Sequence, residues 1–427
     1  MKIVSARPGV NASGHLVLAV DVSKKHLDCY VRFTDSYRRL CNSSPAVESH
    51  LATLAEVAGR EDLAGVLVAC EPSGGYERTL LDSARRMGCQ SVYVAGEQVA
   101  QLRKIESLDT GKTDIKDPRV IDLAVRLGKT QRCRQIPAIY EEIRLLTAAC
   151  DADEKSRART KQRIITTALV LFPGYDIGKE RFFSRTGRAV LGAYQLDPSA
   201  IVRAGRTRFE RTIRRRVPGV HTATLDKIYA QAEQAGLRSE GASALLKDRI
   251  QDLMRDVERY DARMARYRYQ IEAHGEALQA SGRLCSLDRA VSGLTLYNLA
   301  RIAGEAGPFT DFHSKRALLR YAGLNLRERQ SGQYRGKTRL SKKGRIMLRK
   351  SVAQATFPLL RQDRLFGPFY QRKRDAGMCA QKAKVALMRK FLVMVYAMSR
   401  SGEPFDRHRF TGHAVARTGH HQPQMVC

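Results

Sequence analysis

Two short, uninterrupted apolar runs, each closed by a carboxylate, constrain the fold of this chain more than any other feature. Leu16-Val17-Leu18-Ala19-Val20 ends at Asp21, and the run over residues 64–70 ends at Glu71. An apolar run this short, without alternation, is the pattern of a strand buried on both faces. The residue that follows it is delivered to an edge of the sheet. Residues 27–33 read as a strand paired with the first, and residues 91–95 as a further strand. Helix-type stretches fall at 47–57, 76–87 and 114–127, and this alternation predicts an α/β domain over residues 15–135.

From residue 140 to 172 the pattern turns helical. Farther on, Leu246, Ile250, Leu253, Val257, Tyr260, Met264, Tyr267 and Ile271 alternate steps of four and three. That is a heptad seam, and it predicts a coiled coil over residues 138–280. Its partner is either the earlier helix of the same chain or another subunit, and both readings stand. Residues 173–243, with the patch Arg214-Arg215-Arg216, read as an inserted segment.

A mainly α-helical domain is expected over residues 285–406. Val291-Ser292-Gly293-Leu294 before a helical stretch is either the first turn of a helix-hairpin-helix or a plain packing corner. Helices are expected at 317–323, 345–360 and 380–399, the last carrying Lys382, Lys384, Arg389 and Lys390 in its first half. Residues 407–427 read as a flexible tail, and His408, His413, His420 and His421 within it as a polar terminus rather than a metal site.

Charge divides the chain unevenly. Residues 1–130 hold 18 basic and 16 acidic side chains, whereas residues 331–427 hold 21 and 4, within an overall net charge of +32. So few acids in the last third point to a polyanionic partner rather than to an ordinary solvated surface. An apolar content of 43% suits a globular protein, and a length of 427 residues excludes a disulfide miniprotein. The nine cysteines form no C-x-x-C pair and read as reduced core thiols. No apolar run is long enough to cross a membrane and no secretory signal is recognisable, so a cytoplasmic protein is expected.

Asp21 and Glu71 follow separate strands, and Asp114 and Asp117 stand three apart on one face of a helix start. Four acids in one cleft repel one another unless cations lie between them, and hard oxygen donors of this kind suit two Mg²⁺ (or Mn²⁺) ions acting on a phosphate. Individually, Asp114 can equally be a helix cap and Asp21 a strand terminus. Asp122 is a possible substitute but lies off the face of Asp114 and Asp117.

A second signal is Ser331-Gly332, surrounded by Arg335, Lys337, Arg339, Lys342, Lys343 and Arg345. By residue type this is a Ser-Gly turn in a phosphate-binding loop, or a serine placed to attack a phosphodiester among cations that stabilise the developing charge. Those six cations are expected to neutralise backbone phosphates without selecting sequence.

Taken in order, Asp21-Val22-Ser23-Lys24, Glu71-Pro72-Ser73-Gly74-Gly75-Tyr76, Lys112-Thr113-Asp114-Ile115-Lys116-Asp117, Tyr321-Ala322-Gly323-Leu324, Gln330-Ser331-Gly332 and Leu340-Ser341-Lys342-Lys343-Gly344 resemble the DEDD insertion-sequence transposases. Those are recombinases guided by a bridge RNA, and the resemblance covers residues 15–172 and 245–406. It implies a RuvC-like, RNase H-type N-terminal domain holding Asp21, Glu71, Asp114 and Asp117, joined by a coiled coil to a C-terminal transposase domain. It also implies that Ser331 is the nucleophile, with donor and target DNA and a bridge RNA as partners. Dimers to tetramers are implied, in which the acids of one subunit complete a site with the serine of another. The turn at 291–294 departs from the family's Pro-Gly-x-Gly form, with Ser292 before Gly293 and Thr295 where a second glycine is common.

Two other classes remain distinguishable. A metal-dependent junction resolvase or nuclease would use the acids alone, with the serine loop as a DNA clamp. A nucleic-acid packaging protein would need none of the four carboxylates.

Overall fold

The computed structural model describes residues 11, 13–106, 116–178, 182–235, 240–327, 330–331, 334–335, 339–360 and 366–406. Asp114, Lys337 and the 407–427 tail lie outside them. Of Ser331 and Arg335 the backbone alone is described. The chain divides into two compact units, one up to Gln135 and one from Ile136.

The first unit is a six-stranded mixed sheet flanked by helices. Its strands are β1 (Leu16–Val22), β2 (His26–Val31), β3 (Ser36–Cys41), β4 (Val66–Cys70), β5 (Gln90–Tyr93) and β6 (Gln131–Arg132), in the spatial order β3-β2-β1-β4-β5-β6. The first three form an antiparallel meander, while β1, β4 and β5 run parallel. Helices α1 (Ser44–Arg60) and α2 (Arg78–Arg86) supply Leu51 and Leu80 to one face, over Leu18, Val20 and Val68. Helices α3 (Gly96–Glu106) and α4 (Lys116–Arg126) supply Val99, Val120 and Ile121 to the other, under Val17, Ala19 and Ala69. Coverage on both faces is why β1 and β4 carry unbroken apolar runs. The edge strand β3 and helix α3 were not expected from the sequence.

In the second unit α5 (Ala138–Leu171) and α10 (Glu240–Ala280) pack antiparallel, clasped by Arg157 Nη1–Asp261 Oδ1 at 2.6 Å, Arg263 Nη2–Asp153 Oδ1 at 2.7 Å and His274 Nε2–Glu142 Oε2 at 3.2 Å. The heptad seam thus meets the earlier helix of its own chain. Between them α6 (Arg185–Tyr194), α7 (Pro198–Ala204), α8 (Arg206–Arg216) and α9 (Thr222–Gln234) close a separate core around Phe172, Phe209, Ile213 and Leu225, shared with Ile164 and Val257 of the long helices. Arg214 serves that fold, donating to Val220 O at 3.2 Å and to Thr222 at 2.9 Å.

The remaining helices are α11 (Leu287–Ala290), α12 (Leu296–Ala306), α13 (Lys315–Tyr321), α14 (Ile346–Thr356), α15 (Gly367–Asp375) and α16 (Ala380–Ser401). They gather Leu299, Ala303, Leu348, Leu387 and Phe391 on Tyr140 and Ile143 of α5 and Ile271 and Leu278 of α10. Gly304 permits the closest crossing, since a Cβ there would collide with the Ile143 side chain. Two nested strand pairs, β7 (Leu326–Arg327) with β10 (Arg339–Leu340) and β8 (Gln330–Ser331) with β9 (Tyr334–Arg335), make a narrow arm. Among the described residues no helix is long and apolar enough to cross a membrane.

Candidate catalytic site

In the first unit three elements bring acids to one cleft of about 360 Å³: Asp21 from the end of β1, Glu71 after β4 and Asp117 from the first turn of α4. β1 and β4 are parallel neighbours, so their ends open on the same side of the sheet, at the position where open α/β sheets hold ligands. The fourth expected acid, Asp114, lies outside the described residues. Asp122 is absent from the lining. It is buried on α4 against Arg126 at 3.0 Å and Arg32 at 3.9 Å. Burial raises its carboxyl above the usual range, and Arg126 and Arg32 oppose that rise.

The cleft is built closely around its acids. Gly96 opens α3 against Glu71, and a Cβ at that position would run into the Glu71 carboxylate. Asp117 Oδ1 is buried and lies 2.6 Å from Arg103 Nη2, as an ion pair without a well-aligned hydrogen bond. The loop after Glu71 is tied by Glu77, whose Oε2 accepts from Ser73 Oγ and Gly75 N at 2.8 Å and from Ser73 N at 3.2 Å. Burial alone would raise the Glu77 carboxyl. Hydrogen bonds from its own amide, the Ser73 hydroxyl and the Gly75 and Ser73 amides outweigh burial and hold it below the usual range. Asn42 joins the two acid-bearing loops, donating from Nδ2 to Ser23 O at 3.0 Å and to Tyr76 O at 2.9 Å.

Sequence reasoning missed Arg103, Glu77 and Asn42. For Glu77 a signal was present, since a carboxylate just after Ser73-Gly74-Gly75 can accept from the amides of a tight turn.

Asp21, Glu71 and Asp117 offer carboxylate oxygens alone, the donor set a hard dication prefers. The Glu71 carboxylate occupies the space that the missing side chain of Gly96 leaves open. The residues therefore suit Mg²⁺ in kind. Among the described residues no three of these groups converge closely enough to grip one ion, and Asp117 is held by Arg103.

In the second unit Ser331 lies on β8, opposite Tyr334 across the tip of the arm. The base of the arm is unusually tight. Gly344 packs on the preceding turn, where a Cβ would fall 2.5 Å from Gly323 N and from Tyr321 O. Lys342 holds a left-handed backbone, φ 55°, and its amide donates to Gly323 O at 3.1 Å. Ser341 N bonds Asn325 O at 2.8 Å and Arg345 N bonds Tyr321 O at 2.7 Å. Arg345 Nε meets the buried Glu305 Oε2 at 2.5 Å. Arg339, Lys342 and Lys343 are exposed, whereas Arg345 is half-buried in its ion pair.

A family model described as Transposase, of the DEDD type, matches residues 18–173. A second, described as Transposase IS116/IS110/IS902 family, matches residues 289–371. These spans take in the acid cleft and the serine arm, and both leave out α6 to α9. Over 377 residues the chain is 25% identical to the Insertion element IS110 uncharacterized 43.6 kDa protein of Streptomyces coelicolor, covering 86% of this chain and 89% of that relative.

Proposed function

Since the chain belongs to the DEDD insertion-sequence transposases of the IS116/IS110/IS902 family, enzymes that cut and rejoin DNA, we propose that it does so with an acid quartet and a serine nucleophile under the direction of a bridge RNA. The observation that carries this reading is the meeting of Asp21, Glu71 and Asp117, from three separate elements, in one cleft.

In this reading the first unit is RuvC-like, its quartet is completed by Asp114, and the four carboxylates would hold Mg²⁺ once drawn together around it. A bound dication would supply Lewis-acid polarisation of the scissile phosphate. The chain's own residues do the rest. Ser331 Oγ forms a bond to phosphorus and the bridging sugar oxygen leaves with a proton, giving a phosphoserine. A DNA hydroxyl then attacks that phosphorus and returns the serine. Arg335, Lys337, Arg339, Lys342 and Lys343 hold the flanking phosphates, while Arg345 anchors the base of the arm through Glu305. The antiparallel pair α5–α10 is read as a coiled coil within the chain, and the assembly as a dimer to tetramer. Sequence choice falls to base pairing between RNA and DNA.

The test is strand cleavage by the purified protein with Mg²⁺, DNA spanning the element junction and RNA transcribed from the flanking DNA, for wild type, Ser331→Ala and Asp114→Ala. RNA-dependent cleavage with a protein-linked DNA band in wild type alone supports the proposal. Cleavage that persists in Ser331→Ala without any linked DNA overturns the serine step and leaves a metal-dependent nuclease acting from the acid cleft.

A further inference from the structure

Across the α15–α16 hairpin, cationic groups gather on aromatic rings. Lys390 Nζ lies 4.7 Å from the centre of the Phe369 ring, and Lys373 Nζ lies 5.8 Å from the same ring. One and two-thirds turns earlier on α16, Lys384 Nζ stands 6.0 Å from the centre of the Phe357 ring, which is 68% exposed at the end of α14. Among the described residues none of Arg372, Lys373 and Lys384 pairs with a carboxylate. Burial, and after it the charges of Arg372 and Lys373, push the Lys390 ammonium below its ordinary range.

Lysine stems covering an aromatic core would account for Phe369, which is half-buried. They do not account for Phe357, a large ring left facing water beside an ammonium group. Like charges held together and partly out of water are under repulsion that a row of phosphates relieves. A duplex keeps its bases stacked inside, so a free ring face finds a partner in an unpaired base. Lys384 and Lys390 are about 9 Å apart along the helix and about 120° apart around it, so a strand reaching both passes obliquely across α16 and meets them with different phosphates.

We propose that the α15–α16 face, with Phe357, binds single-stranded nucleic acid: a base stacks on Phe357 while Lys384, Lys390, Lys373 and Arg372 hold the phosphates. This contact is separate from the serine arm and depends on neither the serine chemistry nor a metal. The strand is an unpaired segment of RNA or a displaced strand of DNA, both of which present this chemistry.

The experiment is fluorescence anisotropy on the full-length protein with labelled oligo-rU, oligo-dT and a duplex, across a salt series. For single strands, Lys384→Gln/Lys390→Gln should weaken binding about tenfold at low salt and flatten the log–log salt slope by about 1.4, at roughly 0.7 per lost contact. Phe357→Ala should weaken single-strand binding about fivefold or more and leave the duplex nearly unchanged. The tighter of rU and dT identifies RNA or displaced DNA, and either preference supports the site. An unchanged salt slope in the double variant overturns the proposal. So does a Phe357→Ala loss that is absent, or equal on single strands and duplex. Thermal melts separate binding from folding: a merely structural role predicts a lower Tm in the lysine variant with the wild-type salt slope.

Discussion

Arg103 and Asp117 form an ion pair inside the acid cleft, with Nη2 2.6 Å from Oδ1, so one acid of the site already faces a positive charge. A dication that uses Asp117 must compete with that guanidinium. Arg103→Ala should therefore tighten Mn²⁺ binding by about fivefold, read as a larger Tm rise per added Mn²⁺ than in wild type. The size follows from a pair that is one-third exposed on the arginine side and worth about 1 kcal/mol or less. Equal Tm rises in both proteins would show that Arg103 does not compete.

Gly96 has no side chain where Glu71 needs space. In Gly96→Ala the new methyl displaces the carboxylate, and misplacement by about 1 Å can cost on the order of a hundredfold in rate. DNA cleavage should fall at least tenfold while far-UV circular dichroism stays as in wild type. Full activity in this variant would mean that the position of Glu71 is not critical.

The Glu77 carboxyl lies below its usual range in the folded protein. A depressed carboxyl contributes stability that is fully present above the unfolded pKa, about 4.3, and is lost as pH falls through the folded value. Urea unfolding of wild type from about pH 6 downward should lose this contribution with acid. Glu77→Gln should be less stable near neutral pH and show a shallower acid dependence. Parallel pH profiles for the two proteins would exclude Glu77 as the source.

Gly304 lets α12 cross α5 against Ile143. Gly304→Ala overpacks that crossing and should cost about 1–3 kcal/mol, measured as a lower urea midpoint. Adding Ile143→Ala makes room, so the double variant should be more stable than the sum of the single losses allows. Additive losses would place the two side chains out of contact.

The parts of this protein legible in its sequence are those in which one residue's environment repeats along the chain. Residues 16–20 of β1 and all of Val66–Cys70 are buried on both faces and therefore apolar, which also exposed Asp21 and Glu71 as the acids that follow them. The seam of α10 was legible for the same reason, although the choice of α5 as its partner was not. Strand β3, Ser-Tyr-Arg-Arg-Leu-Cys, is an exposed edge held by backbone pairing to β2, so its side chains announce little. Asn42 acts on groups 19 and 34 positions away by two hydrogen bonds and Arg103 on one 14 positions away by its charge, and no local pattern marks such contacts. At the arm, Gly323 and Gly344 are visible as glycines, but the reason for them is one backbone lying on another.

The paired helices α5 and α10 carry two hydrophobic cores at opposite ends. Ile143 belongs to one and Ala168 to the other, 25 residues apart in a continuous helix and thus about 38 Å along its axis. The rod works as a fixed ruler. The core closed by α6 to α9 is thereby held at a set distance from the core that bears the serine arm.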